Sequence, residues 1–426
     1  MSNLPFSNIR NVILIASLLI LTSGISYQLG QKSSRPSIES PNKVVVNQNP
    51  TTATVDFAIF WDVWNKIYRN YIEASSLDST KMVDGAINGM VAAVGDPYTS
   101  YFRPKENKDF KDDLGGAFEG IGAQLGLKDG RIIVVAPLKG MPAQKAGIRP
   151  GDWIVRVNDE ETLGWTVPAA VTKIRGPRGT SVTLQILHEN ETTPLDIRIL
   201  RDTIIVASVD VWIKPIADVA EISGATESAS FRRRLDTIAY LRLSRFGDRT
   251  NEEWLAAVSD IVAAQKVKGK LKGLIFDLRN NPGGYLDGSV FIGSEFIRSG
   301  TVVSQVNSDG TRQEFAVNRK GKLLDIPMVI LVNKGSASAA EIVAGAIRDF
   351  KRAKLVGETT FGKGSVQTPF ELAGGAGVHI TTGKWLLPSG ASITKEGVKP
   401  DVEIVLTSLE ASADAQLAKG IELLLK

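Results

Sequence analysis

The chain has 426 residues, 43% of them hydrophobic, which is enough to build two or three domains with their own cores and excludes a disordered protein. It has no cysteine and only two histidines, His188 and His379, so disulfides, a thiol nucleophile and a histidine-rich metal site are excluded. The net charge of +4 comes from basic residues spread along the chain, so we predict no nucleic-acid partner. No metal or cofactor is predicted either.

The N-terminal segment indicates export. No charged residue occurs between Arg10 and Lys32, and residues 12–21 are almost wholly apolar, which is typical of a signal-peptide core or a short membrane anchor. We predict a signal peptide or anchor over residues 1–31 and a flexible linker, rich in Ser, Pro and Asn, over residues 32–55. No clear cleavage site follows, so a retained anchor is slightly favoured. We therefore expect the protein at the extracytoplasmic face of the cell membrane.

Residues 56–114 are predicted to be helical. Aromatic and apolar side chains recur three and four residues apart between Phe57 and Tyr68, which is the repeat of an α-helix. A second helix is predicted from Met82 to Val94 and ends at the turn Gly95-Asp96-Pro97. An apolar helix face is more often a core or subunit contact than a ligand site, so we predict packing for it.

Residues 115–203 resemble a PDZ domain. Short β-branched strands alternate with turns, one helix is predicted from Val167 to Ile174, and residues 142–152 are close to the most recognisable stretch of that family. Glycines after Phe118 let backbone N–H groups converge on one anion, while the adjacent strand edge pairs with an extended peptide. We therefore predict a site for a free chain end, with an ordinary small β-domain as the alternative. The residues of the predicted carboxylate-binding loop are Phe118, Glu119, Gly120, Ile121 and Gly122.

Residues 204–426 alternate strands with helices, which indicates an α/β domain. Buried-type strands are predicted at Leu274–Leu278, Met328–Val332 and Lys354–Gly357, with a helix at Ala339–Phe350 between the last two. The loops after such strands are the usual place for a site in an open α/β sheet.

The loop after the first of these strands contains the run Asn-Pro-Gly-Gly. The N–H groups of Gly283 and Gly284 can approach a tetrahedral oxyanion without a side-chain clash. Taken alone, the same run is a favourable turn sequence with a structural role only.

The loop after the second strand holds Ser338. Its spacing to Glu341 is that of a capping box, so it could simply cap the helix that follows. A serine at a helix N-terminus can also be a nucleophile, since backbone amides there favour a developing anion, and the N–H of Ala339 would be a second oxyanion donor.

The loop after the third strand holds Lys363 between two glycines. A lysine that burial keeps neutral can deprotonate a serine, so Ser338 and Lys363 together predict a hydrolase without histidine. The run from Gly357 to Lys363 also begins like a phosphate-binding loop. Position 364 is glycine where the magnesium ligand should stand, however, and a β-like segment interrupted by proline follows instead of a helix. Nucleotide binding is therefore disfavoured.

These three loops, taken in chain order, resemble those of the carboxy-terminal processing proteases, also called tail-specific proteases. Members of that family are Ser/Lys peptidases with a PDZ domain ahead of the catalytic core. The resemblance implies a crotonase/ClpP-like α/β core, endopeptidase activity near protein C-termini and no cofactor. It also implies a homodimer, with the aromatic N-terminal helix and a helix at Ser408–Leu425 as contacts. The matching segments cover almost the whole chain after the linker: residues 95–99, 142–152, 277–284, 336–341, 357–364 and 385–390.

The same resemblance assigns residue roles. It implies that Ser338 is the nucleophile, Lys363 the general base and Gln367 the side chain that orients the lysine. The chain departs from the family at Ala340, where a further serine is usual. Arg175, at the end of the predicted PDZ helix, is a candidate for linking tail binding to the catalytic domain; a solvated helix-end charge is the alternative.

Two other functions are weighed against this one. A Ser-His-Asp site could use His379, although a histidine on an apolar strand is more often structural. A membrane-anchored PDZ adaptor with a catalytically silent α/β domain is the alternative from another functional class, and the intact Ser338, Lys363 and Gln367 argue against it.

Overall fold

The predicted signal peptide or anchor and the linker lie outside the part of the chain that the computed structural model describes. Within the described part, no helix is both long and apolar enough to cross a bilayer. The described residues are 56–138, 140–189, 191–222, 236–267, 271–405 and 414–425.

The described residues divide into two compact units, the first ending at Ser79 and the second beginning at Thr80. In the first unit, helix α1 spans Ala58–Asn70 and a 3-10 turn follows at Ala74–Ser76. Aromatic rings stack along α1 one turn apart, with the ring centroids of Trp64 and Tyr68 separated by 5.6 Å. The helix predicted from the aromatic repeat is confirmed.

Three short elements precede the β-rich domain. They are helix α2 (Ser79–Ala92), strand β1 (Ser100–Phe102) and helix α3 (Pro104–Gly115). The turn predicted at Gly95-Asp96-Pro97 lies between α2 and β1, and Gly116 ends α3 in the left-handed conformation that favours glycine.

The β-rich domain contains a six-stranded antiparallel sheet whose branched apolar residues alternate into a core of their own. Its elements in chain order are β2 (Ala117–Gly120), β3 (Ala123–Lys128), β4 (Arg131–Pro137), α4 (Pro142–Lys145), β5 (Trp153–Val157), β6 (Glu160–Glu161), α5 (Val167–Ile174), β7 (Ser181–Leu187), β8 (Leu195–Leu200) and β9 (Asp202–Ile205). The sheet runs β3-β4-β5-β7-β8, with β6 paired to β5. Where the chain enters and leaves, β2 and β9 pair as a separate antiparallel ribbon.

The remaining residues form an α/β domain, as predicted. Its elements are β10 (Val209–Pro215), α6 (Ile216–Ile222), β11 (Thr237–Leu243), α7 (Thr250–Gln265), β12 (Leu271–Asp277), α8 (Leu286–Gly293), β13 (Thr301–Asn307), β14 (Arg312–Ala316), β15 (Met328–Val332), α9 (Ala339–Asp349), β16 (Lys354–Gly357), β17 (Ser365–Glu371), β18 (Gly377–Leu386), β19 (Val402–Glu403) and α10 (Ala415–Leu424), with a 3-10 turn at Ala373–Gly375.

Six strands form the central sheet in the order β10-β11-β12-β15-β16-β19, parallel from β11 onwards. Helices α7, α8 and α9 cover one face through residues such as Trp254 and Ile342, while α6 and α10 cover the other through Val219 and Ile421. Because both faces are covered, all five residues of β15 are buried, which explains their unbroken apolar run.

A second sheet, in the order β1-β18-β13-β14, takes β17 on the other side of β18. The proline in β17 is tolerated because this strand pairs on one side only, so the residue needs no N–H for a ladder there. This sheet brings the chain before β1 close to the chain before β17, although more than 250 residues separate them.

The predicted C-terminal helix differs from the observed one at its start. The structure begins α10 at Ala415 after the N-cap Asp414, whose carboxylate accepts a hydrogen bond from the Leu417 N–H. Residues 408–413 of the predicted helix lie outside the described part of the chain.

Candidate active site

Three loops meet at the carboxyl ends of the parallel strands β12, β15 and β16, as the sequence predicts. Backbone hydrogen bonds join them: the Ala337 N–H donates to the Asn281 carbonyl at 2.9 Å, and the Phe361 N–H donates to the Ser336 carbonyl at 3.0 Å. The Asn333 side chain adds a third link, because its amide group donates to Asn280 Oδ1 at 2.9 Å. The loops therefore form one hydrogen-bonded unit.

Ser338 stands at the N-terminus of α9 in a strained backbone conformation. Its φ is +53° and its ψ is −117°. A residue other than glycine in such a region costs on the order of 1–3 kcal/mol, and the surrounding structure must hold it there. Serine nucleophiles on sharp strand-to-helix turns share this feature, since the turn exposes the hydroxyl.

The glycine pair lies directly against Ser338. A Cβ atom added to Gly283, whose φ is +99°, would stand 2.7 Å from the Ser338 Cβ, so only glycine fits. The Gly283 N–H is already used, because it donates to Asn281 Oδ1 at 2.8 Å. Among the described residues, the N–H groups of Gly284 and Ala339 have no hydrogen-bond acceptor.

Glu341 connects the serine loop to the lysine loop. Its side chain is fully buried, and Oε2 accepts from the Ser338 N–H at 2.8 Å and from the Lys363 N–H at 2.9 Å. The other oxygen accepts from the Gly362 N–H at 2.7 Å and from the Thr360 hydroxyl at 2.5 Å. Burial raises the pKa of Glu341, while these four donors favour the ionised form. One carboxylate thus fixes the backbone of both predicted catalytic residues.

Lys363 is half-buried and lies over an aromatic ring. Its Nζ is 5.3 Å from the centroid of the Tyr98 ring. Burial lowers the pKa of Lys363, and the carboxylates of Asp96 and Glu341 oppose this shift. Within the described residues, Lys363 forms no ion pair, and Glu358 pairs with Lys334 instead.

Gln367 lies on β17, two residues after the lysine loop. Its amide nitrogen donates to Ser365 Oγ at 2.8 Å and to Thr381 Oγ1 at 3.1 Å. Across the described ranges, no hydrogen bond joins Gln367 to Lys363, and none joins Lys363 Nζ to the Ser338 hydroxyl.

The loop that contains the glycines is also anchored to the C-terminal helix. Arg279 Nη2 contacts Asp277 at 2.6 Å and Asp414 at 2.8 Å, and the Tyr240 hydroxyl donates to Asp277 at 2.6 Å. These buried and half-buried charges hold the end of β12 in place. Nothing in the sequence around Arg279 indicates that Asp414, the N-cap of α10, is its partner.

Both histidines make contacts that are typical of structural residues. His379 is 8% exposed and packs between the rings of Phe102 and Phe110, with centroids 4.5 and 4.6 Å away. Burial lowers its pKa. His188 hydrogen-bonds to Asp152 at 2.7 Å within the β-rich domain.

Replacing His379 with glutamine is expected to leave acylation of Ser338 by a fluorophosphonate probe nearly unchanged. A general base contributes roughly 10²–10⁴-fold, so a loss of that size in a folded variant would identify His379 as the base and remove Lys363 from that role. The measurement is the acylation rate, with thermal unfolding to show that the loss of ring packing has not unfolded the protein.

The predicted carboxylate-binding loop adjoins Arg175. The guanidinium lies 4.3 Å from the centroid of the Phe118 ring, and a Cβ added to Gly120 would meet Arg175 Cγ at 3.7 Å. Gly122 has a φ of +73°, and a side chain there would collide with Met141. The structure thus brings the candidate gating residue onto the predicted peptide-binding loop.

Several residues of the site were not identified from the sequence. Asp96, Tyr98 and Asn281 lie in segments that match the family, but the resemblance assigned them no role in the site. An Asn two residues before a glycine is a usual side-chain-to-backbone turn, so the Asn281 contact with Gly283 was within reach of sequence reasoning. For Glu341 the capping-box spacing predicted the contact with Ser338 but not those with the lysine loop.

The chain matches three family models. Residues 237–404 match peptidase family S41, residues 133–187 a PDZ domain, and residues 19–106 the N-terminal domain of the activating protease CtpB.

Curated proteins and solved structures are similar over most of the chain. Carboxy-terminal processing protease CtpA of Bacillus subtilis is 35% identical over 394 residues, which cover 92% of this chain and 75% of that protein. A carboxy-terminal-processing protease of Bartonella bacilliformis is 35% identical over 364 residues, covering 84% and 77%. The crystal structure of a protein named as an S41 protease from Bacteroides fragilis superposes with a TM-score of 0.53 at 16% identity, covering 89% of this chain and 99% of that one, a likeness of fold alone.

Proposed function

We propose that this chain, which belongs to the carboxy-terminal processing proteases of peptidase family S41 and is a serine peptidase, cleaves exported proteins near their C-termini with Ser338 as nucleophile and Lys363 as general base. The observation that carries the proposal is the buried Glu341 carboxylate, which binds the backbone N–H groups of both residues. This link supports the proposal because it fixes the backbone of both residues relative to one another.

The proposed reaction is acyl transfer. Neutral Lys363 takes the proton of the Ser338 hydroxyl, and the oxygen attacks the peptide carbonyl. The oxyanion is held by the N–H groups of Gly284 and Ala339, whereas the Gly283 N–H is committed to Asn281. Collapse of the intermediate breaks the C–N bond, and the lysine ammonium returns its proton to the leaving amine. Water then hydrolyses the acyl-enzyme with Lys363 again accepting a proton.

The lysine must be neutral in a useful fraction of molecules. A general base is most effective when its pKa lies near the working pH, so the pKa of this amine must lie well below that of an exposed lysine. Burial acts in this direction on Lys363. Gln367 is proposed to orient the amine: its nitrogen donates to Ser365 and Thr381, and its carbonyl oxygen would accept a hydrogen bond from the lysine.

Substrate choice is proposed to lie in the PDZ domain. The loop from Phe118 to Gly122 would bind the free carboxylate of a protein tail through its backbone N–H groups. Arg175 lies over the Phe118 ring. It would couple the binding of a protein tail at this loop to the activity of the catalytic domain.

A route for this coupling runs through the segment before α7. The Arg245 guanidinium donates to the Asp113 carbonyl at 2.6 Å, next to the end of the ribbon that carries the PDZ domain. The next residue, Phe246, accepts from the Tyr285 N–H and donates to the Gly283 carbonyl at 2.8 Å. One short segment thus contacts both the entry to the PDZ domain and the glycines of the oxyanion loop.

Two peptides that differ only in a free or an amidated C-terminus test the substrate proposal. Hydrogen bonds to a charged group are worth about 1.5–3 kcal/mol, so amidation is expected to lower kcat/KM at least about tenfold. The Ser338→Ala protein is the control for contaminating peptidases. Equal cleavage of both peptides, after subtraction of any cleavage by the control, would contradict tail recognition.

Export and assembly are proposed from sequence features and family membership. Residues 1–31 would direct the protein to the extracytoplasmic face of the membrane as a signal peptide or an anchor. A homodimer would use α1 and the C-terminal helix as contacts. The PDZ adaptor with a silent catalytic domain is not favoured, because the chain is a member of a peptidase family and keeps Ser338 and Lys363.

A further inference from the structure

The turn from Gly95 to Thr99 is a segment of the family resemblance that the proposed reaction does not use. It leads into β1, which pairs with β18 at Ser100 and His379. Since β18 also pairs with β17, the strand that follows the lysine loop, the second sheet carries this turn to Lys363. The contact is made by Tyr98, whose ring centroid is 5.3 Å from the lysine Nζ.

Hydrogen bonds make the turn rigid. The Thr99 hydroxyl donates to Asp96 Oδ2 at 2.6 Å, and the Tyr98 N–H donates to Asp96 Oδ1 at 3.3 Å. The Thr381 N–H donates to Thr99 Oγ1 at 3.1 Å. The hydroxyl of Thr381 in turn accepts from Gln367. Gln367 and Tyr98, on opposite sides of Lys363 in sequence, therefore belong to one network.

Four titratable groups surround the lysine: Asp96, Tyr98, Glu341 and His379. Burial raises the pKa of Asp96, but hydrogen bonds from Thr381, Thr99 and the Tyr98 N–H outweigh it and lower the pKa overall, so this carboxylate is ionised at neutral pH. Burial lowers the pKa of His379, which favours its neutral form. Burial likewise lowers the pKa of Lys363, with Asp96 first among the groups that oppose it.

We propose that this turn is a positioning element for the catalytic amine, in which the face of Tyr98 holds Lys363 Nζ and the Asp96 carboxylate stabilises the positive charge that the amine gains as it deprotonates Ser338. The inference rests on the proposed role of Lys363 as base. A ring face and a fixed carboxylate both stabilise a cation. They therefore stabilise the ammonium form of Lys363, which is present once the proton has moved from Ser338. Tyr98 and Asp96 reach the reaction only through Lys363.

The ring is tested by comparing Tyr98→Leu with Tyr98→Phe. Phenylalanine keeps the π face, whereas leucine removes it, so Tyr98→Leu is expected to lower kcat roughly three- to thirtyfold with KM unchanged, and Tyr98→Phe to retain most of kcat. Tyr101→Leu is the matched control, because that ring is three residues away and its hydroxyl donates to Asp84. A phenylalanine variant as slow as the leucine variant, or a Tyr101→Leu loss of the same size, would overturn the role of the ring.

The carboxylate is tested by the pH dependence of kcat/KM in Asp96→Asn. Asparagine keeps an oxygen for one of the two donors, Thr99 and Tyr98, which bind different oxygens of Asp96. It removes the negative charge, which destabilises the lysine ammonium and lowers its pKa. The acid limb of the profile is therefore expected to move to lower pH by about half a unit to one unit. A limb that stays in place or moves to higher pH would contradict the proposal.

The Lys363→Ala variant distinguishes failure of the proposed function from failure of the positioning role of Tyr98 and Asp96. If that variant keeps turnover, the lysine is not the base and the proposed function fails. If it is inactive while folded Tyr98→Leu and Asp96→Asn proteins match the wild type in kcat and pH profile, the proposed function stands and this inference is wrong. Thermal unfolding of each variant accompanies the kinetics, so that a structural loss is not read as a catalytic one.

Discussion

Replacing Ser338 or Lys363 with alanine is expected to reduce kcat by at least roughly 10⁴-fold, because residues that act as one catalytic unit lose nearly all activity when either is removed. Ser336, two residues before Ser338, cannot substitute for it as the nucleophile. Ser336 is fully buried, and its Oγ donates to the Leu278 carbonyl at 2.9 Å. The measurement is turnover of a peptide with a free C-terminus by purified protein.

Both variants are expected to fold. Alanine at position 338 meets the same positive φ as serine does, so the strain is unchanged, and the Glu341 contact is made to the backbone N–H, which alanine keeps. Lys363→Met is a useful companion to Lys363→Ala, because it retains the side-chain volume and lacks only the amine. Turnover by a folded methionine variant at more than a small fraction of the wild-type rate would exclude the lysine as base.

The sequence was sufficient to predict that the three loops meet at one edge of the sheet. Unbroken apolar runs such as Met328–Val332 predict parallel strands that are buried on both faces, and the loops at the carboxyl ends of parallel strands meet at one edge of the sheet. Ser338 and the glycine pair were identified because their chemistry is local: a helix start supplies amides, and glycines remove side-chain clashes. Residue type and position in the loop were enough for that inference.

Contacts between distant segments were not predictable in the same way. Tyr98 reaches Lys363 because β1 and β17 flank the same strand, β18, and no local pattern in the chain records that pairing. The same limit applies to the ion pair between Arg279 and Asp414, which depends on where the C-terminal helix packs. Sequence patterns report periodicity and local turns, whereas these contacts depend on sheet order.

Replacing Glu341 with glutamine is expected to lower both stability and activity. The carboxylate accepts hydrogen bonds from three N–H groups and the Thr360 hydroxyl while fully buried, and a glutamine NH₂ group would face donors instead. Each buried donor left unpaired costs roughly 1–3 kcal/mol, so the free energy of unfolding should fall by at least about 2 kcal/mol. Loss of the Lys363 or Ser338 backbone contact should also reduce kcat in the fraction that remains folded.

Glu358→Gln provides the matched control for this prediction. Glu358 lies in the lysine loop directly after β16, and its partner is the largely exposed Lys334 at 3.4 Å, a pair worth at most about 1 kcal/mol. Chemical denaturation of the two variants, with activity measured well below the transition, separates destabilisation from misplacement of the catalytic backbone. Suppose that Glu341→Gln matched Glu358→Gln in both the free energy of unfolding and kcat. Glu341 would then not hold the serine and lysine loops together, and the main support for the Ser/Lys dyad would be lost.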